Sequence, residues 1–202
     1  MKQIVYIGGW DCFRSEEAFC QALKNREYEP FQEYKNRKPR FKMQVKDEYE
    51  MAFPNMPNIY NAKYTEWKIW FEKIFPFLNN EKLILIGHSL WSSFLAKYLS
   101  ENTFPKRIDQ LHLLAGVFDE HDLPKGEDYL GDFVFDPMQL KNLEHQVDKI
   151  FLYHSHDDTT VPFINGEKFK KHLPNAMFNI FENKGHFWQM EEFPELVENI
   201  TK

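Results

Sequence analysis

Leu83-Ile84-Leu85-Ile86-Gly87-His88-Ser89-Leu90-Trp91 is the stretch that decides how this chain is read. Four apolar residues run into Gly-His-Ser, and Trp91-Ser92-Ser93-Phe94-Leu95-Ala96-Lys97-Tyr98-Leu99 continues with helical patterning. A buried strand, a tight turn and a helix in that order lift Ser89 to the apex of a strand–turn–helix elbow, the arrangement written G-x-S-x-G. Trp91 stands where the pattern has its last glycine. An indole at that position must find space that another residue vacates, or the elbow must open.

Working outward, Gln3–Ile7 reads as a first short strand ended by Gly8-Gly9, and Ser15 as the N-cap of a helix with Glu16 and Glu17 in its first turn. Ala18, Phe19, Ala22 and Leu23 form that helix's apolar face. The Gly8-Gly9 loop matches neither G-x-G-x-x-G nor G-x-x-x-x-G-K-[ST], which argues against nucleotide binding. Tyr49–Phe53 is a second strand, and the prolines at 54 and 57 end its pairing. From Tyr64 the period changes to helical, with Tyr64, Trp67, Trp70, Phe71, Ile74 and Phe75 as one stripe. After the Ser89 helix come strands at 108–115, 149–153 and 176–181. A helix over 167–173 separates the last two, and a terminal helix presents Phe193, Leu196, Val197 and Ile200. Asp136-Pro137 marks the start of a short helix inside the long connection 116–147. Alternating strands and helices imply a single α/β domain over 1–202, a three-layer αβα fold whose mostly parallel sheet carries its chemistry at the carboxyl ends of its strands.

The 202 residues, 43% hydrophobic and 17% aromatic, suffice for one sizeable core. A net charge of −6 argues against a nucleic-acid groove, and no apolar run approaches the roughly 18 residues of a membrane helix. Lys35, Arg37, Lys38, Arg40 and Lys42, set among Tyr and Phe, read as a solvated insertion. The apolar run Ile4–Ile7 is too short for a signal peptide, and two cysteines, Cys12 and Cys20, make no disulfide scaffold. Cys12 reads as a packed cysteine. A reduced, cytoplasmic protein is expected.

A serine becomes a nucleophile only when a base takes its proton, and the base needs a third group to fix its tautomer. Ser89 comes after the third strand. His154-Ser155-His156-Asp157-Asp158-Thr159-Thr160-Val161-Pro162 comes after the fifth, and Glu182-Asn183-Lys184-Gly185-His186-Phe187 after the sixth. Serine, acid and histidine thus occur in the order that α/β-hydrolases use. Each piece alone has a plain structural reading as a turn or cap, but three such pieces in order after three strands do not recur by chance.

On Ile86-Gly87-His88-Ser89-Leu90, Asp158-Thr159-Thr160-Val161-Pro162 and Gly185-His186-Phe187, the chain resembles the small, nearly lidless α/β-hydrolases similar to retinoblastoma-binding protein 9 and its bacterial relatives, over essentially its whole length. The resemblance implies a six-stranded sheet of order 2-1-3-4-5-6. It selects Asp158 over Asp157 as the acid and His186 over the other histidines as the base. It also implies an oxyanion hole built from the backbone N–H of Leu90 and one from the loop after the first strand, at Gly9 or Trp10. Such donors are worth roughly 3–4 kcal/mol each. Trp10, Trp91 and His88 are then expected to wall the substrate pocket, and 116–147 to border it.

The function so implied is carboxylic-ester hydrolysis of small acyl substrates, with no cofactor, no metal and no nucleic-acid or membrane partner. Two rivals belong to other classes. One is a non-catalytic binding protein on the same fold, with Trp10 and Trp91 as an aromatic recognition surface. The other is a zinc hydrolase, because His154-x-His156-x-Asp158 matches most of H-x-H-x-D-H, with Thr159 in place of the final histidine.

Overall fold

The computed structural model describes residues 1–8, 11–13, 15–26, 42–124, 130–187 and 193–202. In chain order the elements are β1 (Lys2–Ile7), α1 (Glu16–Asn25), α2 (Lys42–Val45), β2 (Tyr49–Ala52), α3 (Tyr64–Glu72), β3 (Leu83–His88), α4 (Leu90–Glu101), β4 (Ile108–Leu114), α5 (Lys141–Glu144), β5 (Val147–Ser155), α6 (Ile164–His172), β6 (Met177–Phe181) and α7 (Pro194–Thr201). All six strands pair in parallel, in the order β2-β1-β3-β4-β5-β6. That is the order the family resemblance implied.

Successive residues of a strand face opposite sides, and the two cores arise from this alternation. Ile4, Ile84 and Phe151 enter one buried cluster, while their neighbours Val5, Leu85 and Leu152 enter the other. The second cluster is the larger and is closed by Trp67 and Phe71 of α3, Phe94 and Tyr98 of α4, and Phe169 of α6. Leu196 and Ile200 of α7 close the first. Each such aliphatic side chain, fully buried, contributes about 1.5–3 kcal/mol.

A chain of buried hydrogen bonds fixes α7 more specifically than its apolar face does. The His112 Nε2–H donates to Gln110 Oε1 at 3.0 Å, and Tyr153 O–H donates to His112 Nδ1 at 2.8 Å. Asn199 of α7 donates its Nδ2–H to the Tyr153 oxygen at 3.1 Å and accepts Gln110 Nε2–H on its main-chain carbonyl at 3.1 Å. His112 lies flat on Phe151, with ring centroids 4.6 Å apart and planes 2° from parallel. Burial pushes its imidazole down to about 3, so it is neutral.

Several local readings hold. Ser15 Oγ accepts the N–H of Ala18 at 3.1 Å, and Asp136 Oδ1 accepts that of Met138 at 2.9 Å ahead of a short 3-10 turn, Pro137–Gln139. Others shift. Strand β5 runs on through His154 and Ser155, because both polar side chains find partners in the interior. Trp70 leaves the buried stripe of α3 and is 44% exposed, whereas Trp67 and Phe71 of the same helix are buried. No residue of α1 is buried, so its apolar face is only half covered. The connection 116–147 is no lid where it is described: Val117, Phe118, Leu130, Phe133, Phe135, Leu140 and Leu143 are all core residues. The basic stretch 35–41 lies outside the described residues. Among the described residues, no helix is long and apolar enough to cross a membrane.

Candidate active site

Parallel register brings three strand ends to one edge. His88 pairs with Leu114, Leu114 with Tyr153, and Ser155 with Phe181, so the residues after β3, β5 and β6 emerge together. Ser89, Asp158 and His186 are those residues.

Ser89 has φ 58° and ψ −127°, in the left-handed half of conformational space that a side chain enters at a cost of about 1–3 kcal/mol. Its surroundings hold it there. The Ser89 N–H bonds Leu114 O at 2.9 Å, and Ser92 Oγ donates to Gly87 O and Leu114 O at 2.9 and 3.1 Å. A Cβ at Gly87 would stand 2.9 Å from the Trp91 carbonyl carbon and oxygen and from Ser92 N, so only glycine lets α4 begin this close to β3. Ser89 is the N-cap of α4, a place where serine usually spends its hydroxyl on the helix. Here it makes no such cap, which leaves Oγ for other chemistry. Leu90 opens the helix, so its N–H has no carbonyl one turn back to bond within α4.

Asp158 has a side chain with no exposed surface. A buried carboxylate must have its lone pairs taken up, and these are. Oδ1 accepts the N–H groups of Thr160 and Val161 at 2.9 and 2.8 Å, and Oδ2 faces His186 Nδ1 at 2.8 Å. An ionised carboxylate can only accept, so it fixes the proton of His186 on Nδ1 and leaves Nε2 as the basic nitrogen. The D-x-x-V-P pattern is thus a carboxylate folded back onto the amides two and three residues later.

The loop carrying His186 is bent on both sides of it. Gly185 has φ 50° and Phe187 φ 58°. Phe187 is held by stacking on Phe193, with centroids 5.4 Å apart, and by Phe181 edge-on at 5.7 Å. Asp157, the carboxylate not selected as acid, ties this loop to the β5 turn. Its Oδ1 accepts Ser155 Oγ–H at 2.5 Å and Gly185 N–H at 2.9 Å, and Ser155 Oγ accepts Lys184 N–H at 3.0 Å. The hydrogen bond from Ser155 is the main cause holding the Asp157 carboxyl below its usual range. Neither role was read from the sequence; the signal was a second carboxylate and a serine beside the acid.

Two expected pocket residues sit elsewhere. Trp91 is fully buried (0% exposed), stacked on Trp67 of α3 with centroids 4.3 Å apart and planes 15° from parallel, with Phe94 edge-on at 4.7 Å. The indole that replaces glycine is a core residue, received by the aromatic face of α3, and the elbow does not open. Its Nε1 finds no hydrogen-bond partner among the described residues. His88 is also buried, with Nε2 2.8 Å from the main-chain oxygen of His186. Gly9 and Trp10 lie outside the described residues.

The zinc pattern does not converge. His154 gives its Nε2–H to Val161 O at 2.8 Å, while His156 is turned outward and stacked on Phe163 at 3.8 Å. Among the described residues no three His, Cys, Asp or Glu side chains gather in a metal-holding group. Cys12 is packed in the core.

With strand order, elbow and strand-end residues in place, the chain has an α/β-hydrolase fold. It is similar over its full length to the ydeN gene product of Bacillus subtilis, at TM-score 0.71 and 19% identity, covering 100% of this chain and 97% of that one. It is similar also to a meta-cleavage product hydrolase from Pseudomonas fluorescens (TM-score 0.67, 11% identity, covering 99% and 89%). The mouse alpha/beta hydrolase domain-containing protein 10 matches at TM-score 0.58 and 14% identity, covering 98% and 88%. No protein-family model and no curated protein matches the sequence.

Proposed function

We propose that this chain is a serine hydrolase that cleaves carboxylic esters through an acyl-enzyme. The observation that carries the reading is the buried pair of His186 Nδ1 and Asp158 Oδ2 at 2.8 Å, set at the strand edge where Ser89 stands on its elbow. His186 Nε2 takes the proton of Ser89 Oγ as that oxygen adds to the ester carbonyl. Asp158 stabilises the imidazolium and keeps its own charge. The oxyanion of the tetrahedral intermediate is received by the N–H of Leu90 at the positive end of α4, with Gly9 or Trp10 supplying the second donor. The imidazolium then protonates the departing alcohol, and water activated by the same nitrogen releases the acid. Every group that moves a proton is a side chain of this protein, so the cycle calls for no cofactor.

Ser89 is 9% exposed and His186 5%. A nucleophile so enclosed suits short acyl groups over long ones, and small-molecule esters of the cytoplasm over a membrane or nucleic acid.

A fluorophosphonate probe tests the reading. The wild type is expected to be labelled at Ser89, and the label to vanish in Ser89→Ala and His186→Ala. A folded wild type that takes no label refutes it and leaves a binding role on the hydrolase fold.

A further inference from the structure

His88 was expected at the substrate, but it is buried beside the base. It ends β3, so its position is rigidly related to Ser89, the next residue. Ile84 and Ile86 precede it at the two-residue spacing of a strand and lie in the α7-side core, the face to which His88 also points. There its Nε2 meets the main-chain oxygen of His186 at 2.8 Å, and the two rings stand 4.9 Å apart at 45°. A carbonyl oxygen accepts and never donates, so Nε2 carries the hydrogen and Nδ1 does not.

We propose that His88 is a positioning residue: by donating its Nε2–H to the His186 carbonyl it locks the base loop to the strand that delivers the nucleophile. The proposal rests on the serine-hydrolase reading. The other hydrogen bonds named on this loop, Asp158 to the imidazole, Asp157 to Gly185 N–H and Ser155 to Lys184 N–H, all come from the end of β5 and the turn after it. Those ties orient the base toward its acid. The His88 tie sets the same base against Ser89. A left-handed conformation on each side of His186 turns the chain sharply there, so a fixed point on its main chain matters to where the imidazole rests. Burial pushes the His88 imidazole down to about 3, which keeps it a neutral donor throughout the working range.

A histidine that merely filled the core could be replaced by any side chain of similar size, and this separates the two roles. Leucine fills the space and donates nothing, while glutamine fills it and presents an N–H at similar reach. His88→Leu is expected to lower the fluorophosphonate labelling rate and the kcat for p-nitrophenyl acetate by about 10–100-fold, leaving KM nearly unchanged, the pattern of a base displaced by a fraction of an ångström. His88→Gln is expected to recover most of that loss, and thermal unfolding of both variants reports whether they fold. Equal losses in the two variants, or no loss in either, overturn the proposal.

A readout independent of activity keeps the tie distinct from the serine-hydrolase reading. In protein carrying 15N-histidine, His88 is expected as the Nε2–H tautomer. The His186 ring signals should shift in His88→Leu and return toward wild type in His88→Gln. An Nδ1–H tautomer at His88, or unmoved His186 signals in His88→Leu, overturns the tie even in an enzyme that labels normally. If the wild type takes no label, the hydrolase reading falls and these spectra alone decide the tie.

Discussion

Replacing Trp91 by glycine restores G-x-S-x-G in full, and the structure says that this repair damages the protein. The indole is fully buried, stacked on Trp67 at 4.3 Å and met edge-on by Phe94 at 4.7 Å. Truncating a buried tryptophan to a small residue costs about 3–5 kcal/mol in lost transfer energy and cavity formation, and the lost aromatic pairing belongs to the upper part of that range. Glycine in the first turn of α4 adds up to about 1 kcal/mol relative to alanine. No hydrogen bond within the described residues is forfeited, because Nε1 makes none there. The sum is about 4–6 kcal/mol, or a fall in Tm of roughly 10 °C or more for a chain of this size. Urea unfolding followed by far-ultraviolet circular dichroism measures it without depending on the tryptophan removed, and Trp91→Phe, which keeps a ring on Trp67, is expected to lose less than half as much. Acyl-chain preference in Trp91→Gly should stay that of the wild type, since the indole faces α3. A loss under 1 kcal/mol, or a clear gain in activity on longer acyl chains, refutes the placement of Trp91 in the core.

Three further outcomes are expected. Asp158→Asn should cut turnover by about 10³–10⁴-fold by offering His186 the wrong partner, while Asp157→Asn, which touches the loop and not the imidazole, stays within about tenfold of wild type in ester-hydrolysis assays. Gly87→Ala should destabilise by about 1–3 kcal/mol and slow labelling, because its Cβ meets backbone of α4 at 2.9 Å; Gly185→Ala meets nothing within 4 Å and should show only the cost of its positive φ in denaturant titrations. His88 and His112, each lowered by burial from 6.5 to about 3, bind a proton more readily unfolded than folded, so stability is fully present above pH 6.5 and falls as pH drops toward 3, by up to about 1.4 kcal/mol per unit for each. Urea midpoints between pH 7 and 4.5 measure that slope, and a His112→Asn protein with the wild-type slope speaks against it.

The elbow and the two turns were legible because each is written in consecutive residues. An apolar run into Gly87-His88-Ser89 specifies strand, turn and helix locally, and Asp158 Oδ1 is taken up by Thr160 and Val161 of its own turn. Register supplied the rest, since parallel strands that end together deliver their outgoing loops to one edge of the sheet. Trp91 was illegible for the opposite reason. Its partner Trp67 belongs to another helix, and periodicity shows that Trp67 is buried without showing what it stacks on. His88 was misjudged because a polar residue beside a reactive one suggests the pocket, yet whether its ring meets solvent or a buried carbonyl is settled by a loop beyond its own strand. Strand β5 looked shorter than it is because buried polar residues at its end resemble a loop until their partners are known.

The Gln110–His112–Tyr153–Asn199 chain sets how freely the outer layer of the protein can change its sequence. Leu196 and Ile200 need only be apolar and of suitable bulk, so aliphatic exchanges there are expected to survive in a randomised library. The polar four pass hydrogen bonds in one direction, each donating to the next. Single changes in that group strand a buried partner, whereas joint replacement by apolar side chains of matching shape removes the obligation altogether. Selected sequences should therefore vary one at a time at the apolar sites of α7 and change together, or not at all, at the polar ones.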